Sequence, residues 1–230
     1  MLVIIRRMAN WYMSLVYEVF RNLWGTVEHP YLTWKRVIRE GNVWASGLLL
    51  VLLMAYFGVS EPIRWGSIRW DGLAIERVTV ESVQLLARIS GLRMMAGLTT
   101  YLLMVVMMSF IGWLLIGRRT SWKSLVSKVY KVWVYSYLPT WLWFAMTAGL
   151  FVILPPPRGN TILGLMFSVV YLSVSAALLV WKVLLFYLTM RLGVGLTAWQ
   201  VFKAGIILVA FLVVYSQVMY LWGIFRIPFI

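Results

Sequence analysis

Five stretches of this chain carry no charged side chain: residues 41–60, 94–117, 132–157, 159–181 and 204–225, each at least 20 residues long. A helix needs about 20 apolar residues to cross the hydrocarbon core of a bilayer. In lipid, only helices and closed barrels satisfy their own backbone polar groups. A barrel strand alternates apolar and polar residues, and runs such as Leu48 to Leu53 do not. The expectation is an all-α polytopic membrane protein. Residues 42–230 would form a five-helix transmembrane bundle, preceded by an amphipathic interfacial segment over residues 1–41. The composition, 63% hydrophobic and 12% charged, lies well beyond the roughly 45–50% apolar content of soluble domains.

The first segment sets Trp11, Tyr12, Leu15, Val16, Val19, Phe20, Leu23 and Trp24 on one broad helical stripe, with Asn10, Ser14, Glu18 and Arg21 elsewhere. Such a helix lies in the membrane interface. It either docks a partner or packs on its own bundle. His29-Pro30 breaks the chain, and Pro30 suits the first position of a second short helix through Glu40. The first span is expected from Asn42 to Val59, ending at Glu61-Pro62. Residues 61–93 are the longest hydrophilic segment, with Trp65, Trp70 and Asp71-Gly72 marking turns at the interface. Val78, Val80 and Val83 begin either a short strand or the extended start of the second helix, with the helix favoured; the apolar part of that helix is Met94 to Gly117. The third helix runs from Ser121 to Leu154 with Pro139 inside it, as a packing kink or a hinge. Pro155-Pro156-Pro157 ends it. The fourth span covers Ile162 to Trp181 with an apolar extension to Met190, and the last covers Ala204 to Phe225.

The turn after the second span holds Arg118, Arg119, Lys123, Lys128 and Lys131 and no acidic residue. Basic residues mark the cytoplasmic side. With the amino terminus inside, inner segments carry 14 of the 21 Lys and Arg residues and outer segments 7. This orientation puts the amino terminus inside and the carboxyl terminus outside. The net charge of +14 is spread over helix ends rather than one soluble face, so anionic lipid headgroups are the expected partner, not nucleic acid. A membrane-protein partner at the same turn is the other expectation. With no cysteine and a single histidine, thiolate and histidine-cluster metal sites are excluded, and no cofactor is expected.

Lys182 interrupts the fourth apolar run. It either lies buried as an intramembrane charge or snorkels to the inner boundary. Thr33-Trp34-Lys35, Ser121-Trp122-Lys123 and Thr197-Ala198-Trp199, followed by Lys203, share one pattern before the odd-numbered spans. Each hydroxyl can cap a helix, and Trp34, Trp122 and Trp199 are candidate interface anchors. Ala145 with Gly149, and Ser173 with Ala177, are small-residue pairs suited to close helix approach. After Glu81 the chain has no Asp or Glu for 149 residues. That removes carboxylate cation ligands, proton-relay acids and general bases from the later spans, so no catalytic residue and no enzymatic activity is expected.

The order and spacing of His29-Pro30-Tyr31-Leu32-Thr33-Trp34, Ser121-Trp122-Lys123-Ser124-Leu125, Tyr137-Leu138-Pro139, Trp181 to Leu185 and Thr197 to Ala204 resemble the Yip (Ypt/Rab-interacting protein) membrane domain over roughly residues 25–225. In eukaryotes the resemblance implies a membrane-trafficking role and contact with small GTPases; prokaryotic members have no settled activity. The long soluble amino-terminal extension common in eukaryotic members has no counterpart here, so GTPase binding is not expected to carry over. The resemblance is to the prokaryotic type and so implies a prokaryotic cell membrane. The expected function is a non-enzymatic membrane-organising or partner-binding component. The alternative is a permease-like transport component for an anionic or lipid-like substrate.

Overall fold

The computed structural model describes residues 2–69, 80–117, 120–153 and 162–221, and among these every regular element is a helix. The expectations for the Pro155-Pro156-Pro157 connection, the Trp70 to Gly72 turn, Val78 and the end of the last span at Phe225 lie outside the described residues. Helix α1 (Leu2–Glu28) is followed by α2 (Pro30–Glu40), with Pro30 in the first turn as expected. The stripe on α1 divides. Leu15 and Val19 are buried together with Asn22 and Thr26, while Trp11, Tyr12, Phe20 and Trp24 face outward. Helix α1 therefore packs one edge against α2 and α3 and presents an aromatic surface on the other.

Three long rods follow: α3 (Val43–Arg69), α4 (Val80–Leu115), and α5 (Trp122–Trp133) continued by a 3-10 turn (Val134–Tyr137) into α6 (Leu138–Ile153). Then come α7 (Ile162–Leu188), a π-helical segment (Thr189–Val194) and α8 (Ala198–Leu221). Side-chain pairs give their directions. Ser46 donates to the Lys131 carbonyl, Tyr56 meets Trp141 and Phe57 meets Phe144, so α3 runs parallel to α5–α6. Trp122 meets Trp113 and Tyr130 meets Tyr101, so α4 is antiparallel to that rod. Trp133 meets Phe186 and Trp143 meets Tyr171, which makes α7 antiparallel to it as well. Thr100 with Tyr215 and Leu115 with Gln200 set α8 antiparallel to α4. The core between the rods holds fully buried Tyr101, Met108, Val129, Tyr135 and Leu185.

Pro139 lacks the N–H that would bond the Tyr135 carbonyl four residues back. The chain tightens just before it, and Leu138 N–H takes that carbonyl in the 3-10 turn. The rod continues through the proline. Pro62 likewise does not end α3, which runs on to Arg69: a single missing donor costs one ladder bond, less than abandoning an established helix. At the other end of the chain, α7 widens into the π segment. Gly195, at φ 90°, closes it in the left-handed conformation that glycine adopts without penalty.

Among the described residues, three helical stretches are long and apolar enough to cross a membrane: Met94–Leu115, Gly164–Val194 and Ala198–Leu221. The apolar part of α3, Val43–Gly58, is shorter, and α6 has 16 residues. The small-residue pairs are not where the helices approach most closely. Nothing lies within 4 Å of a Cβ added at Gly149, and Ser173 and Ala177 are exposed, because these residues face away from the neighbouring helices. Tight approaches lie elsewhere among the described residues: an added Cβ would overlap the Val194 side chain at Gly112 and the Thr33 side chain at Gly25.

Candidate functional site

One end of the bundle gathers α2, the close of α4, the start of α5, the π segment and the start of α8. The start of α8 is fixed by a capping box. The Thr197 hydroxyl accepts the Gln200 N–H at 3.3 Å, and Gln200 Oε1 accepts the Thr197 N–H at 2.9 Å. Gln200 Nε2 also donates to the Leu115 carbonyl at 3.0 Å, satisfying one of the orphan acceptors at the end of α4. Arg191 Nη1 donates to the Leu196 carbonyl at 2.7 Å, closing the turn between the π segment and α8. Of the three hydroxyls expected to cap, only Thr197 does. Ser121 stands at the start of α5 without a side-chain bond, and Thr33 lies buried inside α2.

The expected basic residues separate by role. Lys123 is exposed and Lys128 half-exposed on α5, while Arg118 and Arg119 lie outside the described residues. Lys131 turns inward, and its Nζ donates to the Ile38 carbonyl at 3.1 Å, tying α5 to the end of α2. Burial holds its pKa below the ordinary lysine value; Lys128 adds to the shift and Glu18 opposes it. Helix α2 and the α8 start add exposed cations paired with rings: Lys35 lies 4.7 Å from the centre of the Tyr31 ring, and Lys203 5.4 Å from that of Trp199. The exposed surface of this end thus sets cations beside aromatic rings.

The three anchor tryptophans share this end but not one environment. Trp199 is 63% exposed, stacked on Phe202. Trp122 is 37% exposed, edge-on to Phe110 and Trp113. Trp34 is 0% exposed and donates its indole N–H to Thr189 Oγ1 at 3.0 Å. It pins α2 to the π segment and has no surface to offer a headgroup. Its place beside Thr33 and Val37 on the buried stripe of α2 explains the difference: helical spacing puts these three on the face that meets the bundle.

Lys182 turns toward α6 and meets no carboxylate among the described residues. Its ammonium donates to Thr140 Oγ1 at 2.6 Å and sits 5.1 Å from the centre of the Tyr137 ring. A polar relay beneath α1 and α2 was not evident from residue type alone. Arg36 Nη2 donates to Asn22 Oδ1 at 2.9 Å, and Asn22 Nδ2 donates to the Tyr135 hydroxyl at 3.1 Å. The signal for it was spacing, since Asn22 follows Leu15 and Val19 at seven and three residues and shares their face. Compared with known proteins, the chain matches no family model, no curated protein and no solved structure.

Proposed function

We propose that this chain is a five-span, non-enzymatic membrane component of the Yip type, whose inner end binds acidic lipid and through it organises or recruits membrane partners. The observation that carries the reading is the concentration of exposed lysines and arginines, interleaved with Tyr31, Trp122 and Trp199, at the end where α2, α5, the π segment and α8 converge. An organising role needs a surface, not a reaction centre, and the absence of any Asp or Glu after Glu81 agrees with that. Five crossings are supported by direction. Helices α4 and α7 both run antiparallel to the α5–α6 rod, so if both cross, that rod must carry the chain back between them. Helix α3 lies alongside it in the same sense. The order of the Yip-like motifs along residues 25–225 supports the family reading.

The test is lipid retention. A basic residue near an anionic surface contributes on the order of 1 kcal/mol, reduced by salt within a Debye length of about 8–10 Å. Replacing Arg118, Arg119, Lys123 and Lys128 together by glutamine should reduce the phosphatidylglycerol that copurifies with the protein. The loss should be largest at low salt, with phosphatidylcholine unaffected. Lys131 is kept because its ammonium holds the Ile38 carbonyl. Unchanged acidic-lipid retention at low salt would remove the basic end from the mechanism.

A further inference from the structure

Between α6 and α7 lies a cleft of about 220 Å³, lined among others by Pro139, Thr140, Trp143, Ser175, Leu179 and Lys182. Its polar groups all have protons to offer. Lys182 Nζ donates to Thr140 Oγ1 at 2.6 Å, and Trp143 Nε1 donates to Ser175 Oγ at 2.9 Å. Both hydroxyl oxygens are thus already accepting, and each hydroxyl keeps its own proton for another acceptor. No carboxylate, Asn or Gln lines the cleft. Thr140 lies about 12 Å along the helix from Val132, the start of the charge-free stretch 132–157. If α6 and α7 cross the membrane, this distance, with Lys182 inside the apolar stretch Gly164–Val194, sets the ammonium at hydrocarbon depth, where an unpaired charge is costly. Leu179, at the mouth, is 63% exposed, so the cleft opens on the apolar outer face of α7.

We propose that this cleft binds the carboxylate of a long-chain fatty acid, with Lys182, Thr140 and Ser175 as donors and the acyl chain lying outside along α7. One ammonium matches one negative charge, and a carboxylate presents two acceptor oxygens and no donor. The cleft is smaller than the 300–1,000 Å³ typical of sites that enclose a drug-sized ligand. It admits a compact headgroup and leaves the chain in lipid. A glycerophosphate headgroup is bulkier and carries the wrong shape for a single ammonium. The proposal goes beyond the inner-end reading and uses only the membrane location of α6 and α7, so it stands or falls apart from acidic-lipid retention at the basic end.

The test reconstitutes the full chain in phosphatidylcholine nanodiscs and photolabels it with palmitic acid bearing a diazirine on its chain, mapping the adducts by mass spectrometry. Labelling should be saturable, fall on α6 and α7 around the cleft, and be displaced by palmitate but not by methyl palmitate. Lys182→Gln should weaken it about tenfold or more, the scale of one charged hydrogen bond, and Lys182→Arg should retain it. Equal labelling of Lys182→Gln, equal displacement by methyl palmitate, or stronger displacement by phosphatidic acid than by palmitate would each overturn the proposal. If Lys182→Gln does not fold, the comparison of palmitate with its methyl ester on the unsubstituted protein decides alone.

Discussion

At the scale of single residues, several buried polar side chains tie one helix to another through defined hydrogen bonds. Thr189 shows the pattern: its hydroxyl donates to the Leu185 carbonyl at 2.8 Å and accepts the Trp34 indole N–H at 3.0 Å. Thr189→Val keeps the shape and removes the acceptor, leaving a buried N–H unpaired. That costs about 1–3 kcal/mol. We expect Thr189→Val to lower the temperature at which the detergent-solubilised protein loses its monodisperse peak, and Thr189→Ser to recover most of the loss; equal thermal behaviour of Thr189→Val and the unsubstituted chain would show that the pair contributes nothing. Sequence made the presence of Trp34 and Lys182 conspicuous but not their partners. Thr189 is 155 residues from Trp34 and Thr140 is 42 from Lys182, and no local pattern links residues that meet only when helices pack. Residue type suggested an interface anchor at Trp34 and left Lys182 open between burial and snorkelling, whereas tertiary position made Trp34 a core pin and set Lys182 against Thr140.

Local rules carried further at the scale of elements, because caps and breakers act within a few residues. Pro30 starts α2 as the sequence suggests, and Thr197 with Gln200 forms the capping box of α8. The response to Pro139 was not legible in the same way. A kink or hinge was the expectation, and the helix meets the missing donor with a 3-10 turn over Val134–Tyr137. The small-residue pairs misled for a related reason: spacing shows that two residues share a face, not what that face meets. One close contact is made instead by Gly112 on α4 against Val194 of the π segment. Gly112→Ala forces the two elements apart, and overpacking of this kind costs about 1–3 kcal/mol. Val194→Ala makes room, so the double substitution should be more stable than the sum of the two single effects. Strict additivity in thermal unfolding would mean that Gly112 and Val194 do not restrain each other.

For the whole molecule, the charge-free stretches made the helical membrane class legible, since their length is a property of the chain alone. The number of crossings was less so, because among the described residues the apolar part of α3, Val43–Gly58, and α6, Leu138–Ile153, are each shorter than a full span. Direction narrows the choice. Helices α4 and α7 point the same way, and the α5–α6 rod opposes both, so four crossings follow if α4, α7 and α8 span. The fifth depends on α3. If α3 crosses, the amino terminus lies on the same side as the turn at Arg119; if it only lies on the surface, the two lie on opposite sides. The carboxyl terminus faces away from that turn in either case. The natural chain has no cysteine, so single cysteines can be placed at Arg119→Cys, ahead of Met1 and after Ile230 and probed in intact cells with a membrane-impermeant maleimide. Positive charge at helix ends favours the inner side, so we expect the first two sites to be protected and the third to be labelled. An accessible amino terminus with a protected Arg119→Cys would leave four crossings and make α3 a surface helix. Matching accessibility of Arg119→Cys and the carboxyl terminus would break the up-and-down path itself.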